Sequence, residues 1–246
     1  MKVLDTIVIG AGQAGLAISY YLTQAGREHL ILEKERIAKA WRDERWDSFT
    51  LVIPNWTLGL PDAAYDGDDP DGFLTREEVV GYLESFANRF DPPILEGVEA
   101  TAVEAAPGSD DLIVRSSAGD YRASNVVVAA GLFQSPRVPA LSKGLTGDVK
   151  QMHSSQYRNA EQLPRGAVLV VGSGQSGAQI AEELFEHGRE VYLATGRAGR
   201  LPRRYRGEDG AHWHWRTGVT DRTVEQLPSP AARVAASAHV SGKDLH

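Results

Sequence analysis

The chain carries one long pattern twice. "IVIGAGQAGLAISYYLTQAGREHLILEKE" runs from Ile7 to Glu35, and "LVVGSGQSGAQIAEELFEHGREVYLATGR" from Leu169 to Arg197. A constant offset of 162 aligns the two without a gap. Gly10, Gly12, Gln13, Gly15, Ile18, Leu22, Gly26, Arg27 and Glu28 then meet identical residues. Each copy reads as an apolar run, a Gly-x-Gly-x-x-Gly turn, a helical stretch closed by glycine, and a second apolar run. That is a strand–turn–helix–strand unit of about 30 residues, which feeds a parallel sheet. The expectation is an α/β protein with two Rossmann-like dinucleotide-binding domains.

The glycines have separate tasks. The first makes the tight turn, the second lets backbone approach a pyrophosphate, and the third lets helix and strand pack closely. The helix N-terminus supplies oriented N–H groups for the anion. One such motif is a weak signal, but here each copy follows a strand and opens a helix, the context that gives it a mechanism. Expected contacts are Gly10, Gly12, Gln13, Ala14 and Gly15 in the first copy, and Gly172, Ser173, Gly174, Gln175, Ser176 and Gly177 in the second.

The copies differ at the end of the second strand. Glu33 can accept hydrogen bonds from ribose hydroxyls, as the adenosine of FAD or NAD requires, and would repel a 2′-phosphate. Thr195 replaces it in the second copy, with Arg197 two residues on and Arg200, Arg203, Arg204 and Arg206 soon after. Loss of the acid together with a guanidinium is the NADP-type solution. Arg197 is the first candidate and Arg203 or Arg204 the second. A solvated basic loop is the competing reading of this run.

Between the repeats, 38–71 is rich in Trp, Pro, Asp and Gly and reads as loop with short irregular pieces. "TREE" from Thr75 opens a helix expected to bury Val79, Leu83, Phe86 and Phe90. "LIVRSSAGDYRASNVVVAAG" reads as a hairpin turning near Ala118–Gly119, then a buried strand at Val126–Ala129. Pro136 and Pro139 begin a connector. After Arg197 there is no convincing buried strand, so the second domain reads as incomplete at His246. The expected division is 1–145 for the first dinucleotide domain, 146–166 for the connector and 167–246 for the second, truncated domain.

Composition narrows the chemistry. The formal charge of −7 argues against a general nucleic-acid binder. No apolar run approaches the roughly 20 residues of a membrane span, and the N-terminus does not read as a signal peptide. A cytoplasmic protein is the expectation. With no cysteine, this chain has no thiolate nucleophile, no cysteine zinc site and no redox dithiol of its own. "HWHW" at His212–Trp215 offers two histidines without a third ligand, so aromatic packing is expected and no metal.

These residues resemble the class B flavin monooxygenases, the flavin-containing and Baeyer–Villiger monooxygenases. The first fingerprint with Glu33 resembles that family's FAD site, and the second with Arg197 its NADPH site. "AWRDERWDSFTLVIPN" is similar to the segment after the FAD strand, which would set Trp41 beside the flavin. "VVVAAGLFQSPRVP" resembles the family's ATG-type strand and linker, with Ala130 in place of threonine. "HSSQY", His153–Tyr157, matches the end of the fingerprint preceding the NADPH domain, and "GRAGRLPRRYRG", Gly196–Gly207, resembles bacterial oxidoreductases of the group. The sequence departs from the family where Ala38, Lys39 and Ala40 replace a glycine pair. It departs again at Gly147 and Val149, and at Val52 where many members have asparagine.

The resemblance implies FAD and NADPH as cofactors, with Lys34 and Gly131 joining the FAD-site residues. It implies hydride transfer from NADPH to FAD, addition of O2 at flavin C4a, and oxygenation of a nitrogen, sulfur or carbonyl centre of a small molecule. His153 is the weak catalytic candidate; a structural histidine in a linker is its equal alternative. Two other readings stay open. One is an NADPH-dependent flavin reductase or oxidase without oxygenation. The other is an inactive fragment or paralogue that only binds dinucleotide.

Overall fold

The computed structural model describes residues 2–196, 200–218, 221–226 and 239–240. Contacts divide the chain into two units. The first comprises Met1–Arg45, Leu58–Asp66 and Arg76–Ser155, and the second Trp46–Thr57, Gly67–Thr75 and Gln156–His246. No helix among the described residues is long and apolar enough to cross a membrane.

The first unit is built on β1 (Val3–Ile9), α1 (Gln13–Gln24) and β2 (His29–Glu33). There follow α2 (Lys39–Asp43), a hairpin of β3 (Gly59–Leu60) and β4 (Ala63–Ala64), and α3 (Arg76–Asn88). The chain continues through β5 (Ile94–Glu96), β6 (Ala100–Ala105), β7 (Leu112–Ser116) and β8 (Gly119–Val128). Six strands make one sheet in the order β5-β2-β1-β8-β7-β6. The first four run parallel and β7 and β6 are antiparallel. Because β1 lies between β2 and β8, its central residues Ile7 and Val8 are fully buried. Ile7 packs with Leu32, Val98, Val114 and Ala123.

The two longer helices of this unit, α1 and α3, each bury one stripe. In α1 these are Gly15, Leu16, Ser19 and Leu22, and in α3 Val79, Val80, Leu83, Phe86 and Ala87. Phe90 falls just beyond α3 and is half-buried against Tyr20 and Phe86. The hairpin turn lies at Ser117–Ala118, between β7 and β8. The expected buried strand at Val126–Ala129 is the end of β8. It pairs with β1 through Val128, yet the Val128 side chain is 71% exposed. Ladder pairing fixes the backbone there without covering the face.

The second unit repeats the motif as β9 (Val168–Val171), α4 (Gln175–Glu186) and β10 (Val191–Ala194). Among the described residues β9 pairs only with β10, in parallel. Beyond them lie β11 (Arg200–Leu201), β12 (Arg204–Tyr205), β13 (Glu208–Asp209), α5 (Gly210–Arg216) and β14 (His239–Val240). β11 pairs with β14 in parallel, and β12 with β13 as a tight hairpin. The loop segments 46–57 and 67–75 also belong to this unit and are stitched to α4. Ser48 Oγ donates to the buried Glu183 carboxylate at 2.9 Å, and Gln179 Nε2 donates to the Thr50 carbonyl at 3.1 Å. Burial beside Glu183 pushes the Tyr157 hydroxyl pKa above its ordinary value.

The glycine-closed helix ends are the same in both units. Gly26 and Gly188 take φ of 64° and 69°. After them the Arg27 and Arg189 amides donate back to Leu22 and Leu184 at 2.9 and 3.0 Å. This is a C-terminal cap in which a left-handed glycine satisfies otherwise orphaned carbonyls.

Candidate functional site

The two fingerprint turns have one geometry. Gly10 and Gly172 sit at φ of 103° and 106°, open to glycine and strained for other residues. A Cβ on Gly15 would lie 1.9 Å from the Gly10 carbonyl oxygen, and a Cβ on Gly177 would lie 1.9 Å from that of Gly172. Helix and strand can therefore pack only if the third glycine has no side chain. A Cβ on Gly12 or Gly174 would meet nothing within 4 Å, so the middle glycine borders open space.

Neither α1 nor α4 has a side-chain cap, and neither has an acid in its first turn. The first helical bonds are Leu16 N–H to Gly12 and Ala178 N–H to Gly174, both at 2.9 Å. Uncapped N-terminal amides with the positive end of the helix dipole behind them suit an anion. Gln13, Ala14 and Gly15 supply the first turn of α1, and Gln175, Ser176 and Gly177 that of α4.

The environments of the two turns differ. In the first unit Gly10 lies against the end of β8, where a Cβ would be 2.7 Å from the Ala129 carbonyl oxygen. Glu33 reaches back to this turn: its Oε2 accepts the Ala11 N–H at 2.7 Å and its Oε1 accepts the Glu35 N–H at 2.9 Å. A carboxylate has about four lone-pair sites, so acceptor capacity remains for ribose hydroxyls. Lys34 is paired with Glu99 at 2.8 Å, and that hydrogen bond and charge raise its pKa. Trp41 lies in α2 with the Arg45 guanidinium 5.1 Å from its ring centroid. Gly131 follows β8 at φ 83°. The residues present fit a flavin dinucleotide by the chemistry of the donor set: a glycine cradle, an uncapped helix and a carboxylate.

In the second unit Thr195 stands in Glu33's place and is exposed, so no carboxylate occupies that position. Ser173 is the counterpart of Ala11. Arg197, the leading phosphate candidate, lies outside the described residues. Arg203 is 5% exposed, ion-paired with Asp209 at 2.6 Å and stacked over Phe73. Arg204 is exposed. The two adjacent arginines thus have opposite fates, which the sequence run did not separate.

His153 is half-buried in the connector, where its Nδ1 accepts the Ser155 N–H at 3.2 Å and lies 2.9 Å from the Ser155 hydroxyl. These bonds close a local turn. In the His212–Trp215 stretch, His212 stacks on Trp56 at 4.7 Å and Trp213 meets Tyr205 edge-on at 5.5 Å. No group of metal-ligating side chains occurs among the described residues. A concavity of about 360 Å³ in the first unit is lined by Arg36, Ile37, Glu84, Asn88 and Glu96, and includes none of the expected cofactor residues.

Residues 7–206 match the family described as pyridine nucleotide-disulphide oxidoreductase. An uncharacterized CzcO-like oxidoreductase of Geobacillus kaustophilus is 45% identical over 196 residues, covering 79% of this chain and 55% of the relative. An indole-3-pyruvate monooxygenase of Oryza sativa, YUCCA4, is 30% identical, covering 79% of this chain and 48% of its own. The chain therefore spans about half the length of the curated relatives it matches. Among solved structures, a flavin-containing monooxygenase from Stenotrophomonas maltophilia aligns with a TM-score of 0.74 and 25% identity. That alignment covers 98% of this chain and 70% of that one.

Proposed function

The chain belongs to the pyridine nucleotide-disulphide oxidoreductase family, and from that premise we propose that it is an FAD-dependent, NADPH-using oxidoreductase of the monooxygenase type. Its co-substrates are O2 and a small molecule with a nitrogen, sulfur or carbonyl centre to be oxygenated. In this reading residues 1–145 take FAD, 167–246 take NADPH, and 146–166 connect them. One observation carries the reading. Two turns of identical geometry differ at the ribose position, where the first has the Glu33 carboxylate and the second has Thr195. Without a cysteine, this chain's own residues cannot supply the dithiol of a disulfide reductase.

FAD, when bound, supplies the electron chemistry, accepting hydride from NADPH and making O2 reactive toward an organic centre. The protein's part is binding and orientation. The amides at Gly12–Gly15 and Gly174–Gly177 would hold pyrophosphates at helix N-termini, Glu33 would accept from a ribose, and Arg197 and Arg204 would meet a 2′-phosphate.

A reductase or oxidase that oxygenates nothing is the second reading. It is favoured by Val52, whose apolar side chain stands where many monooxygenases of this type have an asparagine amide. The test is anaerobic reduction of the FAD-loaded protein by NADPH, followed by O2 and a panel of amines, sulfides and ketones. Oxygenated product in step with NADPH consumed supports the monooxygenase. Hydrogen peroxide in step with NADPH, with no oxygenated product, sinks it in favour of the oxidase.

A further inference from the structure

Arg203 is 5% exposed, and a guanidinium is seldom that buried unless it is paired. Its Nε–H donates to Asp209 Oδ2 at 2.6 Å, and an Nη1–H donates to the Val52 carbonyl. The guanidinium carbon lies 4.3 Å from the centroid of Phe73. Asp209 in turn caps α5, its Oδ1 accepting the Ala211 N–H at 2.8 Å. The Arg203 carbonyl accepts the Gly210 N–H, also at 2.8 Å. One side chain therefore joins the β12–β13 hairpin, the start of α5 and the two loop segments 46–57 and 67–75, all within the second unit. Those segments are already laced together. Leu51 N–H donates to Leu74, Asn55 N–H to Gly72, and the Asn55 side chain to Asp69.

Arg203 lies in the bend just before β12, and Arg204, next in the chain, begins that strand. Arg204 is exposed, as is Arg206 in the hairpin turn. The buried Arg203 anchors the start of the strand that bears Arg204. A lysine could not replace Arg203, because a single ammonium cannot fork to a carboxylate and a carbonyl while lying flat on a ring.

We propose that Arg203 is a positioning residue for coenzyme choice. It does not touch the nucleotide; it clasps the hairpin to Val52, Phe73 and Asp209 so that Arg204 meets the 2′-phosphate that distinguishes NADPH from NADH. This rests on the NADPH reading of the second turn.

The test compares the native protein with Arg203→Lys, Asp209→Asn and Arg204→Ala. NADPH and NADH affinities are measured by titration, and backbone amide exchange is followed in peptides covering 50–57 and 204–216. In Arg203→Lys the preference for NADPH falls by about tenfold or more while NADH affinity stays within about twofold, and exchange in both peptides quickens. Arg204→Ala loses the same preference with exchange unchanged. Asp209→Asn, which keeps an acceptor for Arg203 and α5, shows a smaller loss of the same kind and serves if Arg203→Lys does not fold. A merely structural role would weaken both coenzymes alike and overturns the proposal. So does a preference that survives intact in Arg203→Lys. A native protein that binds the two coenzymes equally overturns the NADPH reading itself, and this role with it.

Discussion

Gly15 and Gly177 are the residues on which both halves depend, since each leaves room for one carbonyl oxygen 1.9 Å from where a Cβ would sit. Substituting either with alanine forces helix and strand apart. Each change is expected to cost about 1–3 kcal/mol, the usual penalty for overpacking, and urea unfolding of Gly15→Ala and Gly177→Ala checks it. Native-like midpoints in both would contradict the close packing. Ala38 shows the opposite case. It takes φ 61° and is 4% exposed, where the resembling family carries a glycine pair. A left-handed alanine costs roughly 1–2 kcal/mol, partly offset by the chain entropy that glycine loses. Ala38→Gly should therefore raise stability by about 0.5–1 kcal/mol in thermal unfolding, and a lower melting temperature would argue against strain there. The close packing at the third glycine of each turn was legible in the sequence because spacing alone determines it. The burial of Arg203 beside an exposed Arg204 was not, because "RRYR" says nothing about which guanidinium meets a carboxylate and a ring.

At the scale of elements, the repeat supplies its own control. Leu169 is the counterpart of Ile7, yet Ile7 is fully buried and Leu169 is 59% exposed. The cause is the neighbour: β1 has β8 on its second edge, and β9 has no such partner among the described residues. Ile7→Ala should cost about 2–5 kcal/mol, and Leu169→Ala under about 0.5 kcal/mol, the ordinary range for surface positions. Equal losses in chemical denaturation would contradict the difference in cover. Asp5 in β1 is hydrogen-bonded by Thr6 and by Arg27, which follows the α1 cap, and both hold its pKa below the ordinary 3.8. A lowered folded-state pKa means that this contribution is present above pH 3.8 and is lost as pH falls through the folded value. Asp5→Asn should thus narrow the stability difference between neutral and acid pH, and an unchanged acid-unfolding curve would contradict the link. The two β-α-β units were readable from periodicity. β5 and β6 were not, since three residues at Ile94–Glu96 and a largely exposed β6 show no apolar pattern to read.

For the whole molecule, contiguity in sequence is a poor guide to which unit a residue joins. The loop read between β2 and α3 is shared out, with 46–57 and 67–75 in the second unit and 58–66 in the first. Nothing in a Pro- and Asp-rich stretch signals Ser48 bonding to Glu183 or Val52 to Arg203, because these contacts span 135 and 151 residues. In the proposed function two turns of one geometry hold two different dinucleotides. Gly12 and Gly174 border open space at negative φ, so alanine at either leaves the fold intact while filling the place a pyrophosphate approaches. The most direct measurement is parallel titration of the native, Gly12→Ala and Gly174→Ala proteins with FAD and with NADPH. Gly12→Ala is expected to lose FAD and keep NADPH, and Gly174→Ala to keep FAD and lose NADPH. Loss of the same ligand in both variants, or of neither ligand in either, would contradict the proposed function.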